Sequence, residues 1–129
     1  MEHQKDKKII ENYVESYNNF DVKGMIKDLD ENVVFENITN GKVDLRLNGK
    51  DMFEQQAEAA KQYFRTRNQK IESWRFDEFS TIIDIHYSAV VATDLPNGLK
   101  SGDTLELRGK SEFAIEAGKI KSIRDYNSK

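Results

Sequence analysis

YVESYNNFDVKGMIKDLDENVVFENITNG, residues 13–41, switches its apolar period part-way along. Tyr13, Val14 and Tyr17 continue a stripe begun by Ile9 and Ile10, the spacing of a single helical face, with Lys and Glu opposite. This predicts a helix over 5–19. Asp21 is a good N-cap for a second, short helix in which Val22, Met25, Ile26 and Leu29 repeat the 3–4 spacing. Val33-Val34-Phe35-Glu36-Asn37-Ile38 is then β-branched and aromatic, and Asn40-Gly41 closes it with a hairpin-type turn.

Working outward, Val43, Leu45 and Leu47 alternate briefly before Asn48-Gly49. Lys50 to Arg65 reads as a third helix, with Phe53, Gln56, Ala57, Ala60 and Phe64 on one face. From there the chain reads as sheet. Ile71 to Phe79 is aromatic-rich, and Thr81 to Thr93 puts Ile83, Ile85, Tyr87, Ala89 and Val91 on one side. Thr104 to Glu116 alternates most cleanly, with Leu105, Leu107, Gly109, Ser111, Phe113 and Ile115 opposite Glu106, Arg108, Lys110, Glu112 and Glu116. Ala117-Gly118 turns the chain into a last strand, Lys119 to Asn127. The expected order is α, α, β, α, β, β, β, β. Helices gathered early and strands gathered late indicate an α+β fold, with helices on one face of a curved antiparallel sheet.

Composition narrows the function classes. The 129 residues fit one domain, 1–129, with one Pro, seven Gly and no linker to cut at. Twenty Lys and Arg against 23 Asp and Glu give a net charge of −3, which speaks against nucleic acid and anionic membranes as partners. There is no cysteine, hence no disulfide, thiolate nucleophile or cysteine zinc site. MEHQKDKK carries no apolar signal segment, and no run approaches 18 apolar residues, so a cytoplasmic protein is expected. No phosphate-cradling Gly loop, nucleotide fingerprint or Ser-His-Asp arrangement is present, and no cofactor is expected.

The segment 13–41, the Gly49-Lys50-Asp51 helix start and the ending EAGKIKSIRDYNS together resemble the nuclear transport factor 2-like superfamily, especially its SnoaL-like and ketosteroid-isomerase-like branches. The resemblance spans nearly the whole chain, though 66–108 matches in pattern rather than in motif. It implies a cone: a strongly bent sheet wrapped around the long helix, a blind pocket inside, and pairing of two subunits through the outer sheet face. A homodimer is expected on that basis. Ile82, Val90 and Ala92 add apolar side chains on the face opposite Ile83, Ile85 and Val91.

The resemblance also implies candidate site residues. Tyr13 matches the helix Tyr that donates to the developing oxyanion in ketosteroid isomerases; the alternative is an aromatic of the core stripe. Asn37 matches the position of their catalytic Asp, 24 residues after the Tyr. An amide does not titrate near neutral pH and cannot be a general base, so Asn37 is left to orient a carbonyl or hydroxyl, or to bond its own turn. The second acidic donor falls at Ser111, or at Lys110 if the loop length is counted differently. With two of three such residues replaced, the chain is not a ketosteroid isomerase.

Asp125 is the best remaining acid. It shares a face with Ile123 and Asn127, the face that the resemblance turns into the pocket, where desolvation would raise its pKa. The alternative is an ion pair with Arg108 or Arg124. Tyr17, Phe35, Phe53, Tyr63, Trp74 and Ile123 are expected to line the cavity with Ser111. His86 alternates with the apolar residues of its strand and is expected on the outer face. Two His, one in the terminal segment, cannot build a His-rich metal site, and no metal is expected. Lys61, Arg65, Arg67 and Lys70 read as a solvated helix end, with an anionic ligand at the pocket mouth as the other reading. The expected function is a small-molecule pocket protein for a hydrophobic or carbonyl-bearing compound, working as a cofactor-independent isomerase, cyclase, dehydratase or hydrolase. The alternative is a non-catalytic ligand-binding or protein-interaction and dimerisation domain.

Overall fold

The computed structural model describes residues 2–96 and 98–127. Helices α1 (Glu2–Asn18) and α2 (Val22–Ile26) precede strands β1 (Leu29–Thr39) and β2 (Lys42–Asn48). Helix α3 (Lys50–Ala60) and a 3-10 turn at Lys61–Tyr63 lead into β3 (Phe64–Phe76), β4 (Thr81–Val91), β5 (Thr104–Glu116) and β6 (Lys119–Asn127). The strands form one sheet in the order β2-β1-β6-β5-β4-β3. Four neighbouring pairs are antiparallel, and β1 lies parallel to β6, with Glu36 opposite Arg124 and Asn37 opposite Asp125. The α+β architecture expected from the sequence is thus present, with one parallel pair inside it.

Local chemistry explains most boundaries. Asp21 caps α2, its side chain accepting from the Gly24 N–H at 3.0 Å. The α1 terminus turns through Phe20, whose φ of 59° is left-handed, while the Asp21 N–H returns to the Ser16 carbonyl at 2.8 Å. The Val43–Leu47 alternation is a full strand, β2, which adds a hairpin before α3. Helix α3 stops at Ala60, five residues short of the expected Arg65. Phe64 to Ile71 instead pair with β4, and the ladder overrides the helical spacing of KQYF. The strand expected over Ile71–Phe79 accordingly begins at Phe64 and ends at Phe76.

Register shifts in β1 at Asn37/Ile38, in β3 at Phe64/Thr66 and Ile71/Ser73, and in β5 at Ala114/Ile115 bend the sheet. Helix α1 lies against β3, and α3 against β1 and β2, on the concave side. The core joins Ile10, Tyr13 and Val14 to Phe53, Ile83, Phe113 and Ile123, with the Tyr13 ring edge-on to Phe113 at 5.7 Å. Burying each such side chain contributes about 1.5–3 kcal/mol. On β5, Phe113 is fully buried, Leu105, Leu107 and Ile115 are half-buried, and Glu106, Arg108 and Lys110 are exposed, as the alternation requires.

The opposite face of the sheet is crossed by charge. Glu36 is buried there between Arg124 at 3.2 Å and Arg46 at 3.6 Å, on the two flanking strands. His86 sits on the same face, as expected, 2.8 Å from Glu106, and Arg108 pairs with Glu72.

Candidate functional site

The concave side encloses two chambers that meet at Tyr17, Gln69 and Asp125. The inner one, about 190 Å³, lies among α1, α3, β1 and β2, walled by Tyr13, Phe35, Leu47, Phe53 and Ala57. The outer one, about 200 Å³, is lined by Asn37, Tyr87, Leu107, Gly109, Ser111 and Asn127. A dry cavity of ~150 Å³ suffices for a benzene ring. Together the chambers reach the lower end of the range used for small-molecule ligands.

Asp125 stands at their junction. Its Oδ1 accepts from the Ser111 hydroxyl at 2.6 Å, across the β5/β6 pair in which these residues are register partners. Burial raises its carboxyl to about 6, and the Ser111 hydrogen bond opposes that rise. Neither arginine considered as its ion-pair partner reaches it: Arg124 is engaged with Glu36 and Arg108 with Glu72. Around it stand three phenols. Tyr17 and Tyr87 share a hydrogen bond of 3.0 Å between their hydroxyls, and Tyr13 is buried beside them in the inner chamber. Burial raises all three phenols above their ordinary value, and the Asp125 charge adds to the rise at Tyr13 and Tyr17. They therefore stay protonated at neutral pH and are available as donors. A carboxyl group poised near neutrality opposite neutral hydroxyl donors can move a proton and stabilise the charge left behind.

No protein-family model matches the chain, and no curated protein matches it in sequence. Solved structures match along nearly the whole length. A "putative polyketide cyclase" from Xanthomonas campestris pv. campestris superposes with a TM-score of 0.80 at 20% identity, covering 95% of this chain and 90% of that one. A nuclear transport factor 2-like protein of unknown function from Burkholderia pseudomallei gives 0.73 at 12% identity, over 95% and 90%. The chain has the nuclear transport factor 2-like fold. An LEH-like epoxide hydrolase from M. tuberculosis shares it, with a TM-score of 0.77 at 15% identity over 96% and 83%.

Within this nuclear transport factor 2-like cone, Tyr13, Tyr17, Phe35, Phe53, Asn37, Ser111 and Asp125 all line the chambers. Asn37 is already committed. Its Nδ2 donates to Asp44 at 2.8 Å and its Oδ1 accepts from Asn127 at 2.9 Å, which favours the turn-bonding role over orientation of a ligand. Three expected wall residues lie elsewhere. Ile123 is fully buried in the core. Tyr63 sits in the 3-10 turn and lines neither chamber. Trp74 lines neither chamber: it is opposite Ile83 on β4, packs against the core and stacks on Phe76 at 5.8 Å with Lys7 over its ring. Among the described residues no group of three His, Asp or Glu is placed to hold a metal ion, and no helix is long and apolar enough to cross a membrane.

Arg67 was expected in a solvated helix end, with an anionic ligand at the pocket mouth as the other reading, and the structure places it in neither a helix nor solvent. It belongs to β3, not to a helix end, and is only 5% exposed. Its Nε donates to the Tyr17 carbonyl at 2.8 Å, and the Tyr17 and Phe20 rings lie 3.7 and 4.4 Å from the guanidinium carbon. The usable signal is the two-residue period: stepping back from inward-facing Ile71 brings Gln69 and Arg67 to the same face. The local run of charge concealed it.

Proposed function

We propose that this chain is a cofactor-independent catalyst that transfers a proton on a small hydrophobic, carbonyl-bearing compound. Asp125 is the acid or base and the Tyr13 and Tyr17–Tyr87 hydroxyls are the donors to the carbonyl oxygen. The carrying observation is the Asp125 carboxyl, raised to about 6 and joined to Ser111 at the junction of two cavities without an ion-pair partner among the described residues. In the base direction, the carboxylate takes a proton from the carbon next to the carbonyl. The C–H electron pair forms the C=C bond of an enolate, and the displaced π pair settles on oxygen against the phenols. Return of the proton to another carbon of the enolate is isomerisation; attack of the enolate carbon on a second carbonyl, whose oxygen then takes the proton, is cyclisation; and expulsion of a β-hydroxyl, which takes the proton and leaves as water, is dehydration. The folds named for a cyclase and an epoxide hydrolase support a chemical role for such a cavity. The proposal includes a cytoplasmic homodimer joined through the outer sheet face, where Ile82, Val90 and Ala92 are half-buried.

The test is α-proton exchange in D2O, followed by NMR over a panel of cyclic and aryl ketones. Exchange catalysed by the wild type should fall by roughly 10²–10⁴ in Asp125→Asn. Equal exchange in both proteins would remove Asp125 from the chemistry. Binding without exchange, weakened in Asp125→Asn by about 1.5–3 kcal/mol, would establish the non-catalytic reading, which the engaged amide of Asn37 favours.

A further inference from the structure

A cationic side chain buried in this way carries a specific deficit. Arg67 is 5% exposed, its Nη2 has no hydrogen-bond partner, and no carboxylate lies within salt-bridge distance among the described residues. Buried charges are ordinarily paired, and buried donors ordinarily satisfied. The rings of Tyr17 and Phe20 offer π faces to the guanidinium, but nothing accepts a hydrogen bond from Nη2. The side chain is nevertheless fixed. Its Nε is tied to the Tyr17 carbonyl, and two residues along β3 the Gln69 backbone is bonded twice to the Asn18 side chain. Phe20 holds its ring there from a left-handed backbone, φ 59°, a conformation that costs energy for a non-glycine residue. Arg67 is also part of the wall of the inner chamber, which Asp125 lines as well.

We propose that Arg67 is a carboxylate anchor, and that the inner chamber takes a small monoanionic oxo-acid whose carboxylate meets the unsatisfied guanidinium while its carbonyl end faces Asp125. This rests on the small-molecule reading above and narrows its substrate class. A planar carboxylate matches the fork of a guanidinium, and an apolar ring of benzene size fits between Phe35, Leu47 and Phe53. Anchoring at Arg67 also puts a cation in the wall of the chamber that Asp125 lines, which offsets the repulsion met by an entering carboxylate.

The probes are benzoate and its neutral isostere benzamide, titrated into the 129-residue chain and followed by calorimetry and amide chemical shifts. The wild type should bind benzoate at least tenfold more tightly than benzamide. Arg67→Met, which removes the charge and keeps the bulk, should abolish that preference. Arg67→Lys keeps the charge without the fork and should retain only part of it, which covers the case in which the methionine variant does not fold. Asp125→Asn removes the other negative charge of the chamber and should keep or enlarge the preference for benzoate, so loss of proton exchange there with the preference still present separates the two readings. Equal binding of the two probes by the wild type, binding of neither, or an unchanged preference in both Arg67 variants would overturn the anchor.

Discussion

Asn18 and Gln69 exchange two hydrogen bonds: the Asn18 amide donates to the Gln69 carbonyl at 3.1 Å, and the Gln69 N–H donates to Asn18 Oδ1 at 2.7 Å. β3 is an edge strand, and the end of α1 presents it with a substitute peptide group. Asn18→Ala leaves both main-chain groups of a half-buried residue without these partners, at a cost of about 1–3 kcal/mol. Asn18→Asp keeps the acceptor and should cost less at neutral pH. Urea denaturation of the two variants gives the order directly.

Asp125 should make the protein less stable as pH rises through its titration. Its folded-state value of about 6 lies above the ordinary 3.8, so between those values the native state holds the proton more tightly than the unfolded chain. The benefit is complete below the unfolded value and is lost as pH passes the folded one. Asp125→Asn should therefore be more stable than wild type at pH 7–8, by roughly 1–3 kcal/mol, and the advantage should shrink towards pH 4. Denaturation curves at matched ionic strength across pH 4–8 check the slope. The same window sets activity: with Asp125 as a base, the rate should rise through a limb near pH 6 that Asp125→Asn lacks.

Gly109 lines the outer chamber where β5 meets β6, and a Cβ there would lie 2.8 Å from the Tyr126 carbonyl oxygen and 3.0 Å from Asn127 Oδ1. The first is main chain and cannot swing aside. Gly109→Ala should cost about 1–3 kcal/mol, the usual range for overpacking, and should disturb the Asn127–Asn37 hydrogen bond. Thermal denaturation and the Asn37 side-chain amide resonance are the readouts.

Phe20 allows a paired comparison. Phe20→Ala loses the ring over Arg67 and keeps the left-handed backbone; Phe20→Gly loses the ring but relieves the strain. The glycine variant should be the more stable of the two by roughly 1 kcal/mol. Reversal of that order would mean that the φ of 59° carries no penalty.

The fold was legible where the instructions are local. The Asp21 cap, the change of period before Val33 and the clean alternation of 104–116 each act within a few residues, and the structure follows them. The face of Asp125 was legible too, from its alternation with Ile123. What failed depends on pairing across the chain. KQYFRTR satisfies a helical spacing until β4 is there to pair with it. Trp74 was expected in the cavity wall as an amphipathic ring, and its place beside Phe76 under Lys7 is set by the packing of α1 on β3, which no local pattern announces. Arg67 was hidden for a different reason: among Lys61, Arg65 and Lys70 its charge looks like solvated surface, and only the α1–β3 contact buries it.

The parallel pairing of β1 with β6 has a consequence for how the chain is made. Seventy-nine residues lie between Thr39, where β1 ends, and Lys119, where β6 begins. At about 5–20 residues per second, a ribosome needs roughly 4–16 s to cover that distance. Throughout that time the nascent β1–β2 hairpin carries an open hydrogen-bonding edge, and β5 acquires a second one as soon as it is synthesised. The strand that fills both is translated after every other strand of the sheet, so both edges stay open to neighbouring chains until it arrives.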